Sequence, residues 1–208
     1  LVAGAWKKVL FDPDSSNEQR QEAAGKLRKY AAAMMASDIT FTHQGQTIPM
    51  IRWKGQGLIA AVEHMAPGAV MPDFGMTSLT GAPVSLADHR GKVVLLDFWA
   101  TWCKPCLASM PALNAFKDEL QGSGFELISV NYGDSLEKAQ AFLEKDEVPM
   151  PWTHWHQQTF TEEYFRMSVG SLPTYIVLDP RGAILMRGTH FDDRIKQTVR
   201  QALAASGQ

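Results

Sequence analysis

The sequence predicts an α/β fold, a central mixed sheet flanked by helices, with a small α+β extension at its N-terminal end. Apolar, β-rich runs (Val93 to Trp99, then FELISVN) alternate with helix-forming segments, the pattern of parallel strands joined through helices. Tyr175 to Leu178 and Ala183 to Arg187 face each other across a Pro180-Arg181-Gly182 turn, which reads as a hairpin closing the sheet. At 208 residues and 45% hydrophobic content, the chain can bury a full core in one domain plus an extension.

The elements follow in order. Asp14, Ser15 or Ser16 is placed to cap a helix from about Asn17 to Ala36, with Ala23, Ala24, Leu27, Ala31, Met34 and Met35 on one stripe. ITFTH and TIPMIRW flank a Gln44-Gly45 turn and suggest a hairpin, with Pro49 confining its strand to an edge. Residues 1–65 therefore read as a helix-and-hairpin extension, and the Ala66-Pro67-Gly68 break opens the main domain, 66–208. In that domain, a helix from Ser135 to Glu147 follows FELISVN. A strand near Pro151 to Trp155 and a helix from Thr161 to Met167 come next, and a helix from about Asp192 to Ala204 ends the series.

The chemistry concentrates in KVVLLDFWATWCKPCLASMP, residues 92–111, which holds the chain's two cysteines, Cys103 and Cys106. A strand enters the pair and a helix leaves it, so Cys103 is expected exposed at a helix N-terminus, where free backbone amides and the helix dipole stabilise a thiolate. Cys103 is the expected nucleophile. Cys106, one turn further in, is the shielded resolving thiol. Zinc would want four ligands, and the chain has no second cysteine pair; a static staple would close almost no loop entropy. A reversible redox disulfide is the reading that remains, and it requires no cofactor and no metal.

FWATWCKPC, the following Pro111 and VGSLPTYIVLDPRG together resemble the thioredoxin superfamily, specifically its exported TlpA/ResA-like branch. The leader PGAVMPDFGMTSLTGAPVSLADHRGKVV is similar to the β-hairpin that opens this branch, and the 70 residues from Cys103 to Pro173 leave room for its central insertion. The resemblance spans about Pro67 to Ala204. It implies a thioredoxin fold and a cis peptide at Pro173, beside the active-site disulfide, with Leu172 offering backbone to an extended substrate. It also implies that Asp97, six residues before Cys103, is a buried carboxyl with a raised pKa that takes the proton of the second thiol. Burial agrees with the alternation Val93, Leu95, Asp97, Trp99. Trp102, Lys104 and Pro105 are expected to shape the substrate surface. Ser109 stands where many members of the branch carry a glutamate that contacts cytochromes, which weakens a cytochrome-maturation role.

Composition sets outer bounds. A formal charge of −2 without a long basic run implies neither nucleic acid nor an anionic membrane as partner. LVAGAW lacks the charged leader and cleavage pattern of a signal peptide, so the chain is expected to begin after a removed signal or an anchor. The expected role is a thiol:disulfide oxidoreductase that reduces protein disulfides in a bacterial periplasm and is recycled by a membrane thiol reductase. The alternatives are an isomerase dimerised through the extension, or a copper-handling protein that uses the thiols with His154 and His156. A peroxidase fits less well, since peroxiredoxins place threonine three residues before the reactive cysteine and this chain has Ala100. Oligomeric state is left open.

Overall fold

The computed structural model describes residues 2–12, 14–43, 45–145, 147–158 and 161–207. The first elements are α1 (Val2–Phe11), α2 (Asn17–Met35), β1 (Phe41–His43), β2 (Gln46–Ile48) and α3 (Met50–Glu63). They are followed by β3 (Thr77–Ser78), a 3-10 turn (Leu86–His89), β4 (Val93–Trp99), α4 (Lys104–Glu119), β5 (Phe125–Tyr132) and α5 (Leu136–Glu144). The last are β6 (Thr153–Gln157), α6 (Glu162–Arg166), β7 (Thr174–Leu178), β8 (Ile184–Gly188) and α7 (Asp193–Ser206). The chain divides into two units, residues 2–69 with 161–168, and residues 70–158 with 169–207.

In the first unit, Ser16 caps α2 through a reciprocal box: its hydroxyl accepts the Gln19 amide at 3.1 Å, and the Gln19 side chain accepts the Ser16 amide at 2.7 Å. The buried face of α2 is Ala23, Ala24, Leu27 and Ala31, whereas Met34 and Met35 are half-buried and Tyr30 is exposed. These small residues admit a close neighbour. A Cβ on Gly55 of α3 would lie 3.0 Å from the Ala31 carbonyl oxygen and 2.8 Å from Met35 Cγ. The expected hairpin forms, but its second strand stops at Ile48, and Pro49 starts α3 instead of continuing an edge strand. Proline is well suited to a helix start because its missing N–H falls among donors that have no helical partner there. Helix α1 is a further element that the sequence pattern did not announce.

The domain boundary also differs. The sequence places all of 66–208 in one domain, but α6 packs on α3 within the first unit. The Trp53 and Phe165 rings lie 6.0 Å apart, and a Cβ on Gly57 would sit 2.3 Å from the Phe165 carbonyl oxygen. A chain cut at Pro67 would strip α6 of this partner. Gly57→Ala is expected to destabilise the first unit. The helix-propensity gain of about 1 kcal/mol is outweighed by an overpacking cost of about 1–3 kcal/mol against backbone that cannot rotate away. A lower unfolding temperature by circular dichroism checks this; a rise would show that α6 yields freely.

In the second unit the sheet order is β3-β6-β5-β4-β7-β8. Strands β6, β5 and β4 run parallel, while β4–β7, β7–β8 and β3–β6 are antiparallel. All seven residues of β4 are buried, as expected for a central strand with neighbours on both sides, and this is why its sequence is one nearly unbroken apolar run. Val93, Leu95 and Trp99 form one cluster with Met110, Leu113 and Phe116 of α4 and with Ile195, Val199 and Leu203 of α7. The fold is thus a thioredoxin-type mixed sheet, with the carboxyl end of β4 pointing into the Cys103 loop.

Candidate active site

The loop after β4 positions the dithiol at the carboxyl end of a parallel strand, the usual place for chemistry in open α/β sheets. Cys103 is the N-cap of α4, and its sulfur accepts the Cys106 amide at 3.3 Å. Lys104 and Pro105 are the first two helical residues, positions where proline costs no helical hydrogen bond. Cys103 and Cys106 form a disulfide with a Cα–Cα distance of 5.3 Å. The expected exposure of Cys103 is not met, since it is 3% exposed. In the disulfide state both cysteines join the apolar cluster of α4 and the sheet, with Leu172 packed against it. What faces solvent is the rim: Trp102, which is 59% exposed, together with Lys104 and Pro105.

The Leu172–Pro173 peptide is cis, Leu172 is half-buried and Pro173 is buried. Thr174 opens β7 and pairs with Phe98, near the end of β4, which brings the 172–173 backbone to the same end of the sheet as Cys103.

Asp97 is fully buried, in register with Ser129 on one side and Tyr175 on the other. The Ser129 hydroxyl donates to Asp97 Oδ2 at 2.8 Å, and the Trp152 indole N–H donates to Ser129 Oγ at 2.8 Å. Burial pushes the carboxyl up to about 7, against the smaller opposing effect of the Ser129 bond. It is therefore poised to exchange a proton near neutrality. Ser109, one turn after Cys106, donates to the Cys106 carbonyl at 2.7 Å and lies 2.8 Å from the Tyr175 hydroxyl. Because the single Ser109 proton is spent on that carbonyl, Tyr175 is the donor of the second bond. Burial first, then the neighbouring Asp97, pushes the Tyr175 phenol up, so it stays neutral.

Sequence reasoning missed Asp134. Its carboxylate accepts the Thr101 amide at 2.7 Å, the Thr101 hydroxyl at 3.0 Å and the Asn131 amide group at 3.1 Å, and pairs with Lys138 at 2.6 Å. Burial pushes this carboxyl up, but the bonds from Lys138, Thr101 and Asn131 outweigh that and hold it below the ordinary aspartate range. It ties the residue before Trp102 to the β5–α5 loop. Gly133 in that loop has φ 134°, and a Cβ there would lie 3.2 Å from the Trp102 ring. An NYGD tetrapeptide at the end of a strand signals a turn, but nothing in it announces that the turn supports the active-site loop.

His154 and His156 share one strand, and each ring has its Nε2 in a local hydrogen bond. His154 Nε2 lies 2.9 Å from the Met150 carbonyl, and His156 Nε2 lies 3.0 Å from the Asp134 carbonyl.

A disulfide closed across the first turn of a helix, at the carboxyl end of a central strand that carries a buried carboxyl, defines a thioredoxin-like thiol-disulfide oxidoreductase. The chain belongs to the AhpC/TSA family, whose model matches residues 67–187. It is 36% identical over 135 residues to the thiol-disulfide oxidoreductase ResA of Geobacillus thermodenitrificans, covering 64% of this chain and 76% of that protein. Among solved structures, it resembles a protein described as thiol:disulfide interchange protein DsbE from Chlorobium tepidum (32% identical, TM-score 0.55, 67% of this chain and 96% of that one). It also resembles the thioredoxin domain of a thiol-disulfide oxidoreductase from Bacteroides vulgatus (28% identical, TM-score 0.56, 66% and 98%).

Proposed function

We propose that this chain reduces disulfides of protein substrates outside the cytoplasm, with Cys103 as nucleophile, Cys106 as resolving thiol and Asp97 as the base. The observation that carries the reading is the Cys103–Cys106 disulfide at the cap of α4, with one buried carboxyl two residues before the end of β4. The Cys103 thiolate attacks a substrate disulfide, forming a mixed disulfide and releasing one substrate thiolate. Asp97 takes the proton of Cys106, whose sulfur then attacks Cys103, re-forms the internal disulfide and expels the second substrate thiolate. Two electrons pass to the substrate. A membrane thiol reductase supplying two electrons would restore the dithiol. Trp102, Lys104, Pro105 and the Leu172–Pro173 backbone supply the docking rim.

Two effects set the direction of transfer. A strong oxidant is one whose reduced form is stabilised. The cap of α4 favours a Cys103 thiolate, whereas ionised Asp97 in the apolar core disfavours a second negative charge. A potential nearer about −270 mV than about −120 mV is expected, and equilibration against glutathione measures it. A value at the oxidising end would sink the reductase reading. In the reduced protein, alkylation against pH should find Cys103 titrating below the free-thiol value of about 8.5 and reacting before Cys106.

A further inference from the structure

Three neighbouring strands place a polar row across the sheet: Asp97 of β4 is in register with Ser129 of β5, and Ser129 with His154 of β6. Trp152, just before β6, joins the row through its indole. An indole N–H only donates, so the Ser129 oxygen must accept from it, and the single hydroxyl proton of Ser129 is left for Asp97 Oδ2. With Asp97 ionised the carboxylate only accepts, so in that state the bond runs from Ser129 to Oδ2. Trp152 is itself held in place: its ring stacks on His154 with centroids 5.9 Å apart and planes at 25°, and the Met150 carbonyl accepts both the Trp152 amide and His154 Nε2, each at 2.9 Å. Burial lowers the His154 pKa, so its ring is a neutral support. Asp97 Oδ1, fully buried, has no hydrogen-bond partner among the described residues.

We propose that Ser129 and Trp152 are positioning residues for the dithiol reaction: they fix Asp97 as a one-sided base, with Oδ2 held as an acceptor and Oδ1 as the oxygen that takes the Cys106 proton. This rests on the reading of Asp97 as the base. Protonation at Oδ2 would require the Ser129 hydroxyl to turn away and give up the bond it donates there. Oδ1 is the oxygen that can be protonated without breaking the chain. The ionisable groups on the elements next to Asp97 are Tyr175 on β7, His154 one strand beyond Ser129, and Cys103 and Cys106 of α4, which cluster with Val93, Leu95 and Trp99, the β4 residues that alternate with Asp97. The HxH pair thereby gains a role for its first member, as the plate against which the Trp152 donor is held.

The test follows the Asp97 carboxyl carbon by NMR against pH in the oxidised protein. Ser129→Ala is expected to raise the titration midpoint by about 1–2 pH units, the equivalent of one hydrogen bond to a charged group. Trp152→Phe, which frees the hydroxyl to rotate, should raise it less, and Ser129→Thr should hold it within about 0.5 unit. The carbonyl stretch of protonated Asp97, assigned by its loss in Asp97→Asn, should move to higher wavenumber in Ser129→Ala because Oδ2 loses its donor. Midpoints unmoved in both Ser129→Ala and Trp152→Phe, or an unmoved stretch, would overturn the proposal. Failure of the base reading looks different: Asp97→Asn would resolve the mixed disulfide at the wild-type rate while the titration and infrared shifts still appeared, which would leave the positioning of the carboxyl supported.

Discussion

Cys103→Ser is expected to abolish disulfide reduction, while Cys106→Ser keeps the first attack and stalls on it. Serine at the cap of α4 preserves the Cys106 amide bond, but a hydroxyl is scarcely ionised near neutrality, so even a helix N-terminus does not make it a nucleophile. Turnover should fall by at least about 10³-fold. In Cys106→Ser the thiolate at position 103 still forms a mixed disulfide, and nothing remains to expel the substrate. Insulin reduction should cease in both variants. Non-reducing electrophoresis and intact mass should show a covalent adduct in Cys106→Ser alone. An adduct on Cys103→Ser instead would reverse the assigned roles. Proteins captured by Cys106→Ser would also identify the substrates.

The main domain was legible because its signals are local. An unbroken apolar run marks a central strand, Cys-Lys-Pro-Cys marks a strand-to-helix junction, and Pro-Arg-Gly marks a hairpin; the structure places each within a residue or two of its expected position. Asp97 was legible for the same reason, since its strand neighbours are all apolar. In the extension α2 and the hairpin were legible but α1 and α3 were not, and for α3 the cause is physical. Helix α3 carries Gly55 and Gly57, each costing about 1 kcal/mol of propensity, and the fold tolerates them because Ala31 and Phe165 approach too closely for a side chain. A pattern that reads as weak helix in isolation is decided by partners on α2 and α6. The same holds at the site. Ser129, Trp152 and Asp134 act through residues 23 to 33 positions away in sequence, so no spacing rule reveals them. The burial of Cys103 depends on the assembled cluster of α4, the sheet and Leu172, whereas the helix-start argument fixed only its place on α4.

Asp97→Asn is expected to make the protein more stable and less active, with both effects growing as pH rises. In the folded protein the carboxyl titrates at about 7 because burial raises it, against about 3.9 in an unfolded chain. Between those values the folded state holds a proton that the unfolded state has released. The contribution of this group to stability is therefore full below about pH 4 and is lost as pH climbs through 7. Compared with its contribution below about pH 4, the group costs about 1–2 kcal/mol at pH 5, where the fold must hold a proton the unfolded chain releases, and about 4 kcal/mol by pH 8. Asparagine has no such titration, so the stability advantage of the variant should grow by about 2–3 kcal/mol between pH 5 and pH 8, read from denaturant midpoints of the oxidised proteins. Activity should move the opposite way. Losing a positioned base costs on the order of 10²-fold in the proton-dependent step, which here is release from the mixed disulfide. In the wild type that rate should rise through about pH 7 as Asp97 ionises, and in the variant it should follow only the thiol of Cys106. A variant with a wild-type pH–stability curve would show that Asp97 ionises as freely in the fold as in water. A stabilised variant with an unchanged release rate would show a buried carboxyl that the reaction does not use.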